Sequence, residues 1–186
     1  FGAPGTDLVN LADAIMKTGK AQQNAVYIFP AAPIELDPLF DSRAWWMIDI
    51  EKIQNLMMSG ETREMQGESH DLLPQRRIDL TYVLDHCRPE YSLPASKLVV
   101  GGFSQGSMLA TDVALHYPEA FGGLIIWSGT LINSELWTTQ AARQSPLKIC
   151  QSHGIVDPIL PIDGARDLKE MLQSNHHQVQ YIEFHG

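Results

Sequence analysis

The sequence has little cysteine, few basic residues and no long apolar run. Cys87 and Cys150 are the two cysteines among 186 residues, too few for a disulfide framework, and free thiols favour a reducing, cytoplasmic compartment. Lys and Arg total 13 against 22 Asp and Glu, so the net charge is −9. Such a chain is a poor candidate for binding nucleic acid or an anionic membrane surface. No apolar stretch reaches the roughly 18 residues that a membrane span needs.

The histidines do not fall into a metal-binding pattern. None is paired with a second ligand at a spacing typical of zinc. His70, His86 and His116 are isolated, and His176-His177 is interpreted as an exposed helix end. We therefore expect neither a metal nor a cofactor.

Short apolar runs alternate with helical patterns, which predicts an α/β fold with a mostly parallel sheet and helices on both faces. Strands are predicted over 25–29, 97–100, 124–127, 147–151 and 179–184. Helices are predicted over 8–15 with Thr6 or Asp7 as cap, 50–57, 78–87 ending at Pro89, 105–117, and 165–172. Stretches 31–46 and 59–71 are predicted loops. The length fits a single domain, 1–186.

The pentapeptide Gly102-Phe103-Ser104-Gln105-Gly106 follows a predicted strand and opens a predicted helix. A Gly-x-Ser-x-Gly motif in this context is typical of a nucleophile elbow, in which a tight turn exposes the serine. Glycines on either side let the strand and helix pass closely. The sequence predicts Ser104 as a nucleophile and the Gln105 N–H as an oxyanion donor.

A serine nucleophile needs a base and an acid that orients it. Asp157 follows the predicted strand 147–151, where the acid belongs in the order Ser, Asp, His. The alternative is that Asp157 only caps a turn before Pro158. His153 precedes the acid and is interpreted as a brace for its loop. His185 lies near the place of the base, but the last strand has barely ended there.

These residues resemble the phospholipase/carboxylesterase family of α/β-hydrolases, which includes acyl-protein thioesterases. The matching segments are 29–33, 43–46, 101–106, 117–119, 127–129 and 153–161, and the resemblance covers essentially the whole chain. The pairing of Phe-Ser-Gln-Gly with His-Gly-x-x-Asp is its most specific part.

The resemblance implies a set of catalytic roles. Ser104 is the nucleophile, Asp157 the acid, and the backbone N–H groups of Gln105 and Phe1 form the oxyanion hole. The triad histidine is expected just after Gly186, outside this chain, which leaves His185 as a weak substitute. By the same comparison, one or more N-terminal strands and a C-terminal helix of the domain are missing.

The expected reaction is hydrolysis of a small-molecule ester or thioester with a short to medium acyl chain. Trp45, Trp46 and Met57 are candidates for the acyl pocket, with ordinary core as the alternative. Exposed apolar loops could also form a homodimer interface. Two rival functions stay open: a catalytically incomplete fragment or binding module without the triad histidine, and a peptidase or lactone hydrolase on the same fold.

Overall fold

A computed structural model describes residues 1–19, 24–49 and 71–186 of the chain. These residues form two compact units, Phe1–Met47 and Ile48–Gly186. The predicted helix over 50–57, most of the predicted loop over 59–71, and Met57 lie outside the described residues. No helix in the described part is long and apolar enough to cross a membrane.

The first unit contains a β-hairpin where the sequence predicts a loop. Strands β1 (Ile34–Asp37) and β2 (Ser42–Ala44) pair antiparallel, with Ile34 opposite Ala44. The prolines that argued for a loop lie just outside β1, at 33 and 38, where no ladder N–H is required of them. The turn is closed by the Asp37 Oδ1, which accepts the Leu39 N–H at 2.8 Å. Pro33 and Pro38 therefore bound the strand, and the prediction of a loop over 31–46 was wrong.

The first unit also departs from the sequence prediction at two other places. Helix α1 spans Val9–Lys17, but its N-cap is Leu8 and no side chain caps it. Thr6 contributes only its backbone carbonyl, which accepts the Val9 N–H at 3.1 Å. The predicted strand over 25–29 has no strand conformation, and among the described residues no backbone hydrogen bond pairs it with a neighbour. An apolar run becomes a strand only when a partner completes its ladder.

The second unit is built on a four-stranded parallel sheet in the order β3-β4-β5-β6. Its strands are β3 (Val99–Phe103), β4 (Gly123–Trp127), β5 (Lys148–Gly154) and β6 (Gln178–Phe184). They lie close to the predicted strands, although Lys97 belongs to a 3-10 turn at Ala95–Lys97. Because all four strands run in one direction, their carboxyl ends lie along a single edge, where ligands bind in open α/β sheets.

Within the described part of this unit, the helices are α2 (Leu73–Tyr91), α3 (Gln105–His116), α4 (Ser134–Arg143) and α5 (Ile162–Ser174). Helix α3 packs on β3 and β4, while α5 packs on β5 and β6. Helix α3 is buried along nearly its whole length, so it forms the centre of the core. Helix α4 was not predicted, because its buried residues are only Trp137 and Ala141, too few for a recognisable apolar stripe.

Helix α2 continues past Pro89, which the sequence analysis took as its end. It stops at Tyr91, after which Ser92 adopts a left-handed conformation with φ of 52°. The Leu93 N–H then bonds the Arg88 carbonyl at 3.2 Å and closes the helix. A proline in the last turn removes one N–H bond without blocking the residues after it. The left-handed residue Ser92 therefore ends this helix. The predicted end at Pro89 was wrong, because the helix continues to Tyr91.

The predicted exposed helix end at His176-His177 holds for His176, which is exposed, but not for His177. The His177 side chain is buried, and its Nδ1 accepts the Leu147 N–H at 3.1 Å. Its Nε2–H donates to the Ala141 carbonyl at 3.1 Å. Burial lowers the pKa of His177, which keeps the ring neutral and able to accept on one side and donate on the other. His177 thus ties the end of α4 to the start of β5, a contact that sequence position alone does not suggest.

The two cysteines are both free and half-buried. Cys150, which lies within β5, is therefore not a fully buried thiol.

A buried carboxylate joins three helices of the second unit. Asp112 of α3 has no exposed side-chain surface, and its Oδ2 lies 2.9 Å from the Arg77 Nη1 of α2. Its Oδ1 accepts the Trp137 Nε1–H of α4 at 2.9 Å, and the His116 Nδ1 is 3.5 Å from the same oxygen. Burial raises the pKa of Asp112 despite these partners. The carboxylate is therefore stable in the core only while its partners remain.

Replacing Arg77 with methionine should lower the free energy of unfolding by about 3 kcal/mol at neutral pH, because a buried charge loses its ion pair. The pKa of Asp112, already raised, would rise further above its unfolded value. The folded state then binds the extra proton at a higher pH than the unfolded state does, so the deficit should shrink as the pH is lowered from neutral toward the ordinary pKa of an aspartate. Urea unfolding followed by circular dichroism measures both effects.

The matched control is the double variant Arg77→Met/Asp112→Asn, in which the neutral amide oxygen still accepts the Trp137 N–H. It should be more stable than Arg77→Met alone at neutral pH. An equal or larger loss in the double variant would mean that Arg77 stabilises through packing and not through charge.

Candidate active site

Ser104 occupies the turn between β3 and α3 in a strained backbone conformation. Its φ is 50° and its ψ is −119°, a combination that non-glycine residues avoid. The Ser104 N–H donates to the Trp127 carbonyl at 2.8 Å. The Ser104 carbonyl accepts the Ser107 N–H at 3.0 Å and the Ser107 hydroxyl at 2.7 Å. Bonds on both sides hold the strain in place, as is common at functional residues.

Gly102 makes this turn sterically feasible. A Cβ atom at Gly102 would lie 2.4 Å from the Gly106 carbonyl carbon and 2.6 Å from its oxygen. These are backbone atoms of the first turn of α3, so they cannot move away without displacing the helix. The predicted close passage of strand and helix at this glycine is confirmed.

Gln105 is the first residue of α3. The first N–H groups of a helix point out of its N-terminal end, and the helix dipole makes that end favourable for negative charge. The Gln105 side chain is almost fully buried at 1% exposure, which fixes the start of the helix. The turn thus brings the serine hydroxyl and a helix N-terminus to one place, at the carboxyl end of β3.

Ser107 contributes to the turn in a way that the sequence analysis missed. Its hydroxyl bonds the Ser104 carbonyl, and a Cβ at Gly129 would lie 2.4 Å from that hydroxyl oxygen. The loop after β4 therefore packs directly against the first turn of α3. A serine three residues after the nucleophile was the available signal, since such a hydroxyl can bond back to the preceding turn.

Asp157 lies in the loop that follows β5. Its Oδ1 accepts two backbone N–H groups, from Ile159 and Leu160, each at 2.9 Å. The turn-capping interpretation is thus present in the structure. A carboxylate has two oxygens and about four acceptor positions, so capping through Oδ1 is compatible with a second role for Oδ2. The two bonds to Oδ1 also fix the orientation of the carboxylate.

His153, on β5, bonds the same loop. Its side chain is fully buried, and its Nε2–H donates to the Leu160 carbonyl at 2.8 Å. The same nitrogen lies 3.8 Å from the Asp157 Oδ2. The predicted brace through a ring hydrogen bond is therefore observed.

The end of β6 runs beside the loop that carries Asp157. The Ile155 N–H donates to the Phe184 carbonyl at 2.9 Å, and the Val156 N–H donates to the Gly186 carbonyl at 3.0 Å. His185, between these two acceptors, has an exposed side chain. The sheet therefore collects three sequence-predicted elements at one edge: the serine turn after β3, the acid loop after β5, and the segment after β6.

The other predicted site residues among those described lie in the first unit. Phe1, Trp45 and Trp46 belong to the unit Phe1–Met47. Trp46 is buried at 3% exposure and Trp45 is half-buried, so the core interpretation gains support for Trp46. Their roles as oxyanion donor and acyl pocket stay predictions. Within 1–19, 24–49 and 71–186, no group of three or more His, Cys, Asp or Glu is placed to hold a metal ion.

A family model described as phospholipase/carboxylesterase matches residues 5–186. The chain belongs to this family. Acyl-protein thioesterase 1 of Eremothecium gossypii is 26% identical over 181 residues, which cover 95% of this chain and 71% of that protein. Acyl-protein thioesterase 1 of Candida albicans is 24% identical, and the alignment spans 78% of this chain and 62% of that protein.

Esterase PE8 and SOBER1 are among the solved structures that match the whole chain. Esterase PE8 gives a TM-score of 0.80 at 20% identity, with 79% of that protein covered. SOBER1 of Arabidopsis thaliana gives a TM-score of 0.71 at 18% identity, with 84% covered. At such low identity these similarities show the fold alone. They confirm the predicted α/β-hydrolase fold, and family membership makes the chain a hydrolase of the carboxylesterase class, in which a serine nucleophile and triad are typical.

Proposed function

We propose that this protein hydrolyses esters or thioesters of short to medium acyl chains through an acyl-enzyme on Ser104. The observation that carries the proposal is the strained backbone of Ser104, which combines a φ of 50° with a ψ of −119°, in the turn between β3 and α3. Ordinary serine turns do not need this strain. A nucleophile elbow does, because the hydroxyl must project from the turn toward substrate.

In the proposed reaction, the Ser104 hydroxyl attacks the acyl carbonyl carbon as a base removes its proton. The negative charge that develops on the carbonyl oxygen is stabilised at the N-terminus of α3 by the Gln105 N–H. The base then protonates the leaving alcohol or thiol. Water, deprotonated by the same base, attacks the acyl-enzyme and releases the acid and the free serine.

Asp157 is proposed to orient the base and to stabilise it when it becomes an imidazolium. The support is the fixed carboxylate, whose Oδ1 accepts the Ile159 and Leu160 N–H groups. The base itself is proposed to be a histidine that follows Gly186. The Gly186 carbonyl accepts the Val156 N–H at 3.0 Å. Because Val156 directly precedes Asp157, a histidine soon after Gly186 would lie next to the loop that carries the acid.

The leaving group divides the proposal into two forms. The relatives from Eremothecium gossypii and Candida albicans are named acyl-protein thioesterases, which favours thioesters of protein-bound acyl groups. The name of esterase PE8 favours oxygen esters. Both reactions use the same serine chemistry, so the pocket decides between them.

Labelling of the full-length protein with a fluorophosphonate probe tests the nucleophile. We expect one covalent adduct by intact mass, mapped by peptide sequencing to Ser104, together with hydrolysis of p-nitrophenyl esters of about 2 to about 12 carbons and of matched thioesters. An adduct on another residue would refute the assignment of Ser104. A folded full-length protein with neither adduct nor hydrolysis would instead support the binding-module alternative.

A further inference from the structure

Both backbone polar groups of Leu160 are bonded to side chains, one from the loop after β5 and one from β5 itself. Its N–H donates to the Asp157 Oδ1 at 2.9 Å, and its carbonyl accepts the His153 Nε2–H at 2.8 Å. Leu160 is itself buried, at 4% exposure. The three residues thus form a closed arrangement in which His153 restrains Leu160 and Leu160 restrains the carboxylate of Asp157.

The hydrogen bonds also define the protonation of His153. A carbonyl accepts only from a donor, so the ring carries its proton on Nε2. The Nδ1 is buried and has no hydrogen-bond partner within the described residues. The Nε2–H of His153 is directed to the Leu160 carbonyl, and the Nε2 is 3.8 Å from the Asp157 Oδ2, beyond hydrogen-bond distance. The ring therefore does not occupy that oxygen with a hydrogen bond.

The position of His153 gives this arrangement rigidity. His153 lies within β5, and its neighbours Ser152 and Gly154 pair in register with Ile182 and Phe184 of β6. Asp157, in contrast, is in a loop with a partly exposed side chain. The ring therefore links the loop that carries Asp157 to β5, an interior strand of the sheet. Catalytic groups need such support, since a displacement of about 1 Å can cost about 100-fold in rate.

We infer that His153 is a positioning residue of the reaction. Through the backbone of Leu160, it holds the Asp157 carboxylate in the orientation that leaves Oδ2 for the catalytic base. This inference rests on the proposed role of Asp157 as the triad acid. His153 touches neither the substrate nor Ser104 in this scheme. Its effect on rate must therefore pass entirely through Asp157.

The test uses three substitutions of His153 in the full-length protein. His153→Leu should lower kcat about 100-fold, because the Asp157 carboxylate loses its orientation. KM should change little, because His153 does not contribute to binding of the substrate in its ground state. His153→Gln should recover most of the rate, because its amide nitrogen lies three bonds from Cβ, as Nε2 does. His153→Asn places its amide nitrogen at the level of Nδ1 and should not recover the rate.

A double-mutant cycle separates positioning from general stabilisation. If His153 acts through Asp157, then His153→Leu should cause almost no further loss of kcat in an Asp157→Asn background. The matched control is His177→Leu, which removes another buried histidine that bonds a backbone carbonyl, in this case that of Ala141. It should reduce stability and leave kcat unchanged.

Three results would overturn the inference: an equal loss from His153→Leu in both backgrounds, a change confined to KM, or equal rates for His153→Gln and His153→Asn. Failure of all three His153 variants to fold, while His177→Leu folds, would also overturn it, since His153 would then be a residue of stability. None of these results touches the proposed function, which stands or falls with labelling of Ser104 in the unsubstituted protein.

Discussion

Replacing Ser104 with alanine is expected to lower kcat for ester hydrolysis by about 10⁶-fold, the loss typical when a serine nucleophile is removed. The fold should be unaffected. Alanine, like serine, carries a Cβ, so the backbone strain at φ of 50° is the same in both proteins. The backbone bonds to Trp127 and Ser107 also remain, because they use the main chain of residue 104.

Initial rates on a short-chain p-nitrophenyl ester, with circular dichroism as the check on folding, measure this effect. Ser145→Ala is the matched control, because Ser145 is an exposed serine that precedes β5, at the opposite edge of the sheet from the Ser104 turn. It should hydrolyse the ester at the rate of the unsubstituted protein. Full activity in Ser104→Ala would exclude Ser104 as the nucleophile, whatever the strain in its turn.

Replacing Asp157 with asparagine is expected to lower kcat by about 10⁴-fold, as when the acid of a Ser-His-Asp triad becomes an amide. The amide oxygen can still accept the Ile159 and Leu160 N–H groups, which now bond Oδ1 at 2.9 Å. The loop should therefore keep its turn. What disappears is the negative charge that stabilises the imidazolium, and with it the correct tautomer of the base.

Asparagine and alanine at this position separate the two interpretations of Asp157. If the residue only caps the turn, Asp157→Asn should be nearly fully active and Asp157→Ala should lose about 1 kcal/mol of stability together with some rate. If it is the triad acid, both variants should lose most of their activity and only alanine should lose stability. Asp163→Asn, which neutralises an exposed acid in the first turn of α5, is the control and should retain full kcat.

The Asp157 pair of variants also bears on the rival functions. A binding module with a relic serine would show no catalytic difference between asparagine and aspartate. A hydrolase whose base follows Gly186 would show a large one, and its rate would respond to both substitutions at Ser104 and Asp157 without their effects adding.

Some features of the fold followed directly from local sequence. The strands over 99–103, 123–127, 148–154 and 178–184 are apolar runs bounded by turn residues, and each was predicted within a few positions. Helix α3 was predicted almost to the residue, because Pro118 and the serine motif mark its two ends. In these segments, propensity, periodicity and chain breakers agree, and tertiary context has little to override.

Other features depended on partners far away in the sequence. The run over 25–29 has the composition of a strand but no pairing neighbour among the described residues, whereas Ile34–Asp37 has prolines on both sides and still pairs with Ser42–Ala44. Helix α4 shows little apolar periodicity, yet Trp137 is buried against the Asp112 carboxylate of α3. A strand or a helix with few apolar residues is stabilised by the elements that pack against it, and those partners cannot be predicted from its own residues.

The sequence by itself determined the chemistry of the candidate site. A Gly-x-Ser-x-Gly between strand and helix, followed by an acid after a later strand, has a physical meaning wherever it occurs, because the turn requires those residue types. Only the tertiary structure decided how the acid is held. His153 and Asp157 both bond to the backbone of Leu160. These contacts need atoms at hydrogen-bond distance, and such distances are set by the packing of the whole sheet and not by spacing along the chain.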